Sequence, residues 1–154
     1  MASQSQVFTN AQVILSTSTA LGTRDVSNLV SSVELTRTYD LLDDTVMGET
    51  AHSRKAGLET VTANIEFIQV FSTGGSQENL DSLLNTLADI GATGNNFLIR
   101  IASQNTTISE TNPSYTFLAV LESYSPIAGA VGEILKTTVP FQSAGGSLTR
   151  ASSS

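Results

Sequence analysis

Apolar and polar positions alternate most cleanly between Ser32 and Asp40. Val33, Leu35, Arg37 and Tyr39 fall on one face, and Ser32, Glu34, Thr36, Thr38 and Asp40 on the other, the period-two signature of a strand. The period returns from Leu58 to Phe71, where Val61, Ala63, Ile65, Phe67 and Gln69 alternate with Thr62, Asn64, Glu66, Ile68 and Val70. The far end of that strand is apolar on both faces. Between the two, from Leu41 to Leu58, the pattern dissolves into Asp43-Asp44-Thr45, Gly48-Glu49 and His52-Ser53-Arg54-Lys55-Ala56-Gly57. This predicts a long inter-strand loop, functional or mobile, inside one long hairpin.

An earlier strand is predicted over Gln6 to Ser16, whose apolar residues are Val7, Phe8, Val13, Ile14 and Leu15, followed by a turn at Leu21-Gly22-Thr23-Arg24-Asp25. Downstream, Gly74-Gly75 breaks the pattern and Ser76 is placed as an N-cap. Glu78 and Asp81 suit a helix start, and Leu80, Leu83, Leu84, Leu87 and Ile90 recur at helical spacing up to Gly91, a C-terminal glycine. This helix, residues 76–91, has one leucine stripe and so packs one face on a sheet, as a lid on a β core. Further strands are predicted over Asn96 to Gln104, Tyr115 to Tyr124 after Asn112-Pro113, and Glu133 to Ser143 after Pro126 and the glycines of 129–132. Ala151 to Ser154 is expected to fray.

Tyr115-Thr116-Phe117-Leu118-Ala119-Val120-Leu121 is apolar on both faces and needs cover on both sides. One short helix cannot supply it. A second sheet or neighbouring copies of the same chain can, and the composition favours a share for the copies. Only 14% of the 154 residues are charged, against about 25% in ordinary globular proteins.

Length fits one domain, residues 1–154, large enough to bury a core. The net charge of −7 argues against a non-specific nucleic-acid binder, which needs clustered Lys and Arg. There is no cysteine, so disulfides, thiolate metal sites and thiol catalysis are excluded. Met1 to Thr9 has no basic or apolar leader pattern and no apolar run approaches a membrane span, so the chain is read as soluble and cytoplasmic.

Candidate chemistry falls away motif by motif. His52 stands alone with no HExxH or triad spacing. Asp43-Asp44 with Glu49 lacks the framework of a calcium loop and reads better as a solvated turn or an inter-subunit salt bridge. Gly74-Gly75-Ser76 lies where phosphate loops occur, but no Lys follows, and Glu78 and Asp81 would repel phosphate. The pairs Gly91/Gly94 and Gly129/Gly132 do not match a dinucleotide fingerprint. Asn105-Thr106-Thr107 is a chance sequon. Aromatic residues are 6% with no Trp, and none interleaves with a basic cluster. The expectation is a structural subunit with no catalytic residue, no metal and no cofactor.

With catalysis set aside, the order of features carries the reading: a Val33 to Tyr39 strand, the acidic turn Asp43-Asp44-Thr45 with Gly48, Ala56-Gly57-Leu58 opening the partner strand, a helix, and an ending Val139-Pro-Phe-Gln-Ser-Ala-Gly-Gly-Ser-Leu-Thr149-Arg150. From Val33 to Arg150 that order resembles the major tail tube protein of long-tailed, siphovirus-type bacteriophages. The resemblance implies a mainly β fold of two packed antiparallel sheets, a small sandwich or barrel, with one flanking helix. It implies hexameric rings stacked into a tube in the virion tail, made in the host cytoplasm, through which DNA passes without specific binding. It implies that the long loop, with Asp43, Asp44, Thr45, Gly48, Glu49, Arg54, Lys55 and Gly57, contacts neighbouring subunits and the next ring. Glu34, Thr36, Thr38 and Asp40 line either the lumen or the exterior. Partners implied are further copies of the chain and tape-measure, tail-tip and terminator proteins.

Other readings stand beside it: a secretion-system tube ring, a tail terminator, a virion decoration protein, or a β-sandwich binding a ligand through the Leu41 to Leu58 loop, for which the missing Trp is a handicap.

Overall fold

The computed structural model describes residues 8–16, 24–71, 80–92 and 96–153. Strands run over Gln12–Ser16 (β1), Arg24–Asp25 (β2), Val30–Asp43 (β3), Arg54–Ile68 (β4), Phe97–Ala102 (β5), Ser114–Leu121 (β6), Lys136–Ser143 (β7) and Thr149–Ala151 (β8), with helix α1 over Leu80–Ala92. The expected helix is present, but Gly91 lies inside α1 instead of past its end. Ser76, Gly74-Gly75, Glu78 and the turn residues Leu21-Gly22-Thr23 lie outside the described residues. Arg24–Asp25, expected as turn, pairs with Ile14 and Leu15. Ala151, expected to fray, closes β8 against Ser114 of β6.

The largest difference concerns the Leu41 to Leu58 loop. Leu41–Asp43 continue β3 and Arg54–Leu58 belong to β4, in register down to Asp43↔Arg54, so the irregular part shrinks to residues 44–53. A strand exposed on both faces has no reason to alternate, and its sequence looks like a loop.

The strands follow one antiparallel path, β2-β1-β5-β6-β7-β4-β3, with β8 attached to β6. The two expected sheets are therefore halves of one sheet joined at β6, which pairs β5 along one edge and shares the other between β8 and β7. The halves fold over each other. In a flat sheet, four steps along that path would separate β3 from β5 by about 19 Å. Instead, Val33, Leu35 and Arg37 of β3 line one cleft with Ile101, Ala102 and Tyr115 of β5 and β6.

Closure produces one core. Val13 and Leu15, Val61, Ala63, Ile65 and Phe67, Phe97 and Ile99, Phe117 and Ala119, and Val139 and Phe141 point inward from their strands, and Leu80, Leu84 and Leu87 of α1 fill the same cluster. Phe97 meets Phe141 edge to face, ring centroids 5.9 Å apart. Each such side chain contributes roughly 1.5–3 kcal/mol of burial.

Polar locks close the ends. Asn112, 3% exposed, accepts from Gln104 N–H at 3.1 Å through Oδ1 and donates to the carbonyl of Gln104 at 3.0 Å, pinning the 103–112 connection. Tyr124 donates to Asp81 at the start of the described part of α1 (2.7 Å) and accepts from Gln69 (2.8 Å). Burial and the bond to Asp81 push its phenol up to about 12.

Candidate functional site

β7 pairs with β4 only from Thr62 to Ile68. From Arg37↔Val61 outward the β3–β4 ladder is a two-stranded ribbon, Arg37 to Asp43 on β3, about 23 Å at ~3.3 Å per residue. From Thr36 to Ala51 every residue is exposed. This arm carries Tyr39, Leu41, Leu42, Val46, Met47 and Leu58 as exposed large apolar side chains. A bare two-stranded hairpin is marginal in water, and apolar exposure on this scale marks an interaction surface.

Local chemistry gives the arm its shape. At its root the Arg37 guanidinium grips both carboxylate oxygens of Glu59, at 3.0 and 3.1 Å, and stacks over Tyr39. The N–H of Leu148 donates to the same carboxylate at 3.0 Å. That backbone donor first, and Arg37 second, hold Glu59 below the usual carboxylate range. Midway, the register slips between Tyr39↔Glu59 and Leu41↔Ala56, so Asp40 opposes both Gly57 and Leu58 in a bulge. Gly57 fits closely there: a Cβ would press against the Asp40 carbonyl oxygen at 3.2 Å.

At the tip, the Thr45 hydroxyl and backbone N–H both donate to Asp43 Oδ1 and hold that carboxyl below its ordinary value. Ser53 N–H donates to Thr45 Oγ1 at 3.0 Å, and Asp44 pairs with Lys55. Glu49 closes a turn on Val46 with Gly48 at φ +102°. His52 is exposed, 3.8 Å from Asp43. Among the described residues, no three His, Asp or Glu side chains are grouped to hold a metal.

Outside the core, the sheet's two halves differ. Glu34, Thr36 and Thr38 are exposed on β3, and their partners on β4 are Asn64, Thr62 and Thr60. β7 extends this face with Thr138, across from Glu66, and Gln142, across from Thr62. The surface is rich in threonine and carries the carboxylates of Glu34 and Glu66. Asp40, further out, sits at the bulge. On the other half the outward side chains are Ile14, Leu98, Leu118 and Val120, half-buried, with Arg100 between Ile14 and Thr116. The leucines of α1 belong to the inner core, which gives β6 its inner cover, while its outer apolar side chains Leu118 and Val120 stay partly exposed.

The structure thus gathers Asp43, Asp44, Thr45, Gly48 and Glu49 at the arm tip, but puts Arg54, Lys55 and Gly57 in strand β4 and not in a loop. Sequence reasoning passed over the arm's apolar members, Leu41, Leu42, Val46, Met47 and Leu58. It also passed over Ile127, Val131 and Ile134, exposed in the β6–β7 connection. The signal was present in both places: large aliphatic side chains in segments that glycine and charge mark as surface.

No protein-family model matches the chain, and no curated protein is matched by its sequence. Solved structures do match in fold. The SPP1 tail tube aligns over 93% of this chain and 77% of its own, with TM-score 0.61 and 8% identity. The tail of a gene transfer agent particle, refined with C6 symmetry, aligns over 90% and 95%, with TM-score 0.60 and 10% identity. A chain of the anti-feeding prophage baseplate, 6-fold symmetrised, aligns over 97% of both, with TM-score 0.56 and 12% identity. The fold is that of tail tube proteins.

Proposed function

We propose that this chain, residues 1–154 as one tube domain, is the subunit of a phage-type tail tube, assembling as six-membered rings that stack into a conduit for DNA. The observation that carries the reading is the exposed apolar arm on a tail-tube fold. The arm has no use in a monomer and an obvious one between copies. On this reading the long free edge of β3 pairs with a neighbouring copy around the ring. The threonine-rich face with Glu34, Thr36 and Thr38 lines the lumen, where neutral hydroxyls and carboxylates give DNA phosphates nothing to adhere to. Asp43, Asp44, Thr45, Gly48, Glu49, Arg54, Lys55 and Gly57 shape and position the arm against neighbouring subunits. The subunit works through its contacts and not as an enzyme. Tape-measure, tail-tip and terminator proteins are its further partners in the virion.

Among the described residues, no helix is long and apolar enough to cross a membrane. Negative-stain microscopy of the concentrated pure protein is expected to show tubes with six-fold end views, and monomers under all conditions would overturn the proposal. The near-complete alignment with the baseplate chain favours one second reading, a single ring in a related injection machine. Closed rings that never stack would select it.

A further inference from the structure

Two turns share one pattern and leave the β3–β4 ladder at opposite ends. Val46-Met47-Gly48-Glu49 caps the arm, and Ala130-Val131-Gly132-Glu133 lies in the connection from β6 to β7. In each, the glutamate N–H donates back to the first residue's carbonyl, at 3.3 Å in the arm and 3.1 Å in the connection. In each, the glycine sits at positive φ, 102° at Gly48 and 90° at Gly132, as the third position of a type II turn demands. In each, the second residue, Met47 or Val131, stands fully in solvent.

Their surroundings match as well. Val46 is exposed beside Met47, and Ile127 and Ile134 are exposed in the same connection as Val131. From Pro126 to Leu135 the only charged side chain is Glu133, whereas surface connections are ordinarily polar. The Leu135 carbonyl accepts from Gln69 N–H at 2.9 Å, and Lys136 pairs with Ile68. The connection therefore joins the ladder at the end of β4 remote from Arg54.

We propose that the two turns are the halves of one head-to-tail contact, with the Met47 turn of one copy seated against Ile127, Val131 and Ile134 of a copy in the next layer. The proposal rests on the tube reading and adds to it the surface that receives the arm. Either pole pairing with itself would close a two-fold dimer and leave the other pole's apolar residues in water. Pairing unlike poles covers both and leaves one free end of each kind, so the contact propagates. Charge agrees with this choice. At the arm tip Asp43 and Asp44 are engaged by Thr45 and Lys55. Arg54 and Glu49 have no ion-pair partner among the described residues, and neither has Glu133. Arg54 is the complement of Glu133, whereas arm against arm would bring the acidic tips together.

The absence of cysteine makes the test clean. Met47→Cys and Val131→Cys chains are prepared separately, mixed, assembled and oxidised. A disulfide needs Cα atoms within about 7 Å, so a covalent dimer is expected in the mixture and in neither variant alone, and the double variant should give a ladder of covalent oligomers. Tubes without that ladder overturn this contact and leave the tube reading intact. Cross-linked dimers of Met47→Cys alone overturn it in favour of arm-to-arm pairing. No tubes and no ladder overturn both readings. Val131→Ser supplies a second measurement: loss of tubes with an unchanged thermal melt of the monomer supports the contact, and tubes unaffected by it overturn it.

Discussion

Strand β4 passes through two environments. From Val61 to Phe67 every second residue is fully buried, flanked by β3 on one side and β7 on the other. From Arg54 to Thr60 the same strand pairs with β3 alone, and among the described residues only Glu59, at the root, is held by the body, through Leu148 N–H. The pairing with β3 runs through both, broken only at the Asp40 bulge, so ladder pairing is not what separates body from arm. Burial is: the inner half is stabilised by its own chain, and the outer half leaves its apolar side chains Leu41, Leu42 and Leu58 exposed.

The contrast is broken most forcefully from inside. Phe67→Ala empties a fully buried site and should cost about 3–5 kcal/mol, read as a lower urea midpoint of the unassembled protein. A loss near zero would mean that the body's core is not where folding stability resides. On the arm, changing Leu42→Ser and Leu58→Ser together should alter unfolding by no more than about 0.5 kcal/mol, as surface changes do, while abolishing tubes in micrographs. A large loss of monomer stability would show that the arm folds back on its own body.

The smallest expected effects are the pH limits, which differ between the two regions. Glu59 at the arm root is held below its ordinary 4.5 by Leu148 N–H and Arg37. Its contribution is therefore complete above that value and is lost as pH falls through the lower folded value. Tyr124 in the body is raised from 10.0 to about 12, so its contribution is complete below 10.0 and disappears as pH rises towards 12. Thermal melts of Glu59→Gln and Tyr124→Phe against the parent chain should show the first flattening only the acid limb and the second only the alkaline limb. The reverse assignment would contradict the geometry of both locks.

The body was legible in the sequence because burial writes a period. Val61, Ala63, Ile65 and Phe67 announce a half-buried strand, and Leu80, Leu83, Leu84 and Leu87 a one-faced helix. The arm was not, because exposed strand residues obey no period: His52 to Gly57 reads as loop whether or not it is paired. The single sheet was hidden for another reason. Gln12 pairs with Ala102 across some ninety positions, and no local pattern encodes a partner that distant. β2 and β8, of two and three residues, are too short to carry a pattern at all. The pairing of the Met47 and Val131 turns became visible only once the ladder placed them at opposite ends.

The seven residue pairs that join β4 to β7, from Thr62 to Ile68, also have a mechanical meaning. A pull on the arm along its strands reaches the body as shear across that whole register. Its bonds must then yield together, whereas a sideways tug would open them one after another. At the bulge where Asp40 opposes Gly57 and Leu58, the ribbon bends and its twist increases. On the tube reading proposed above, a filament linked through such arms should resist stretching strongly.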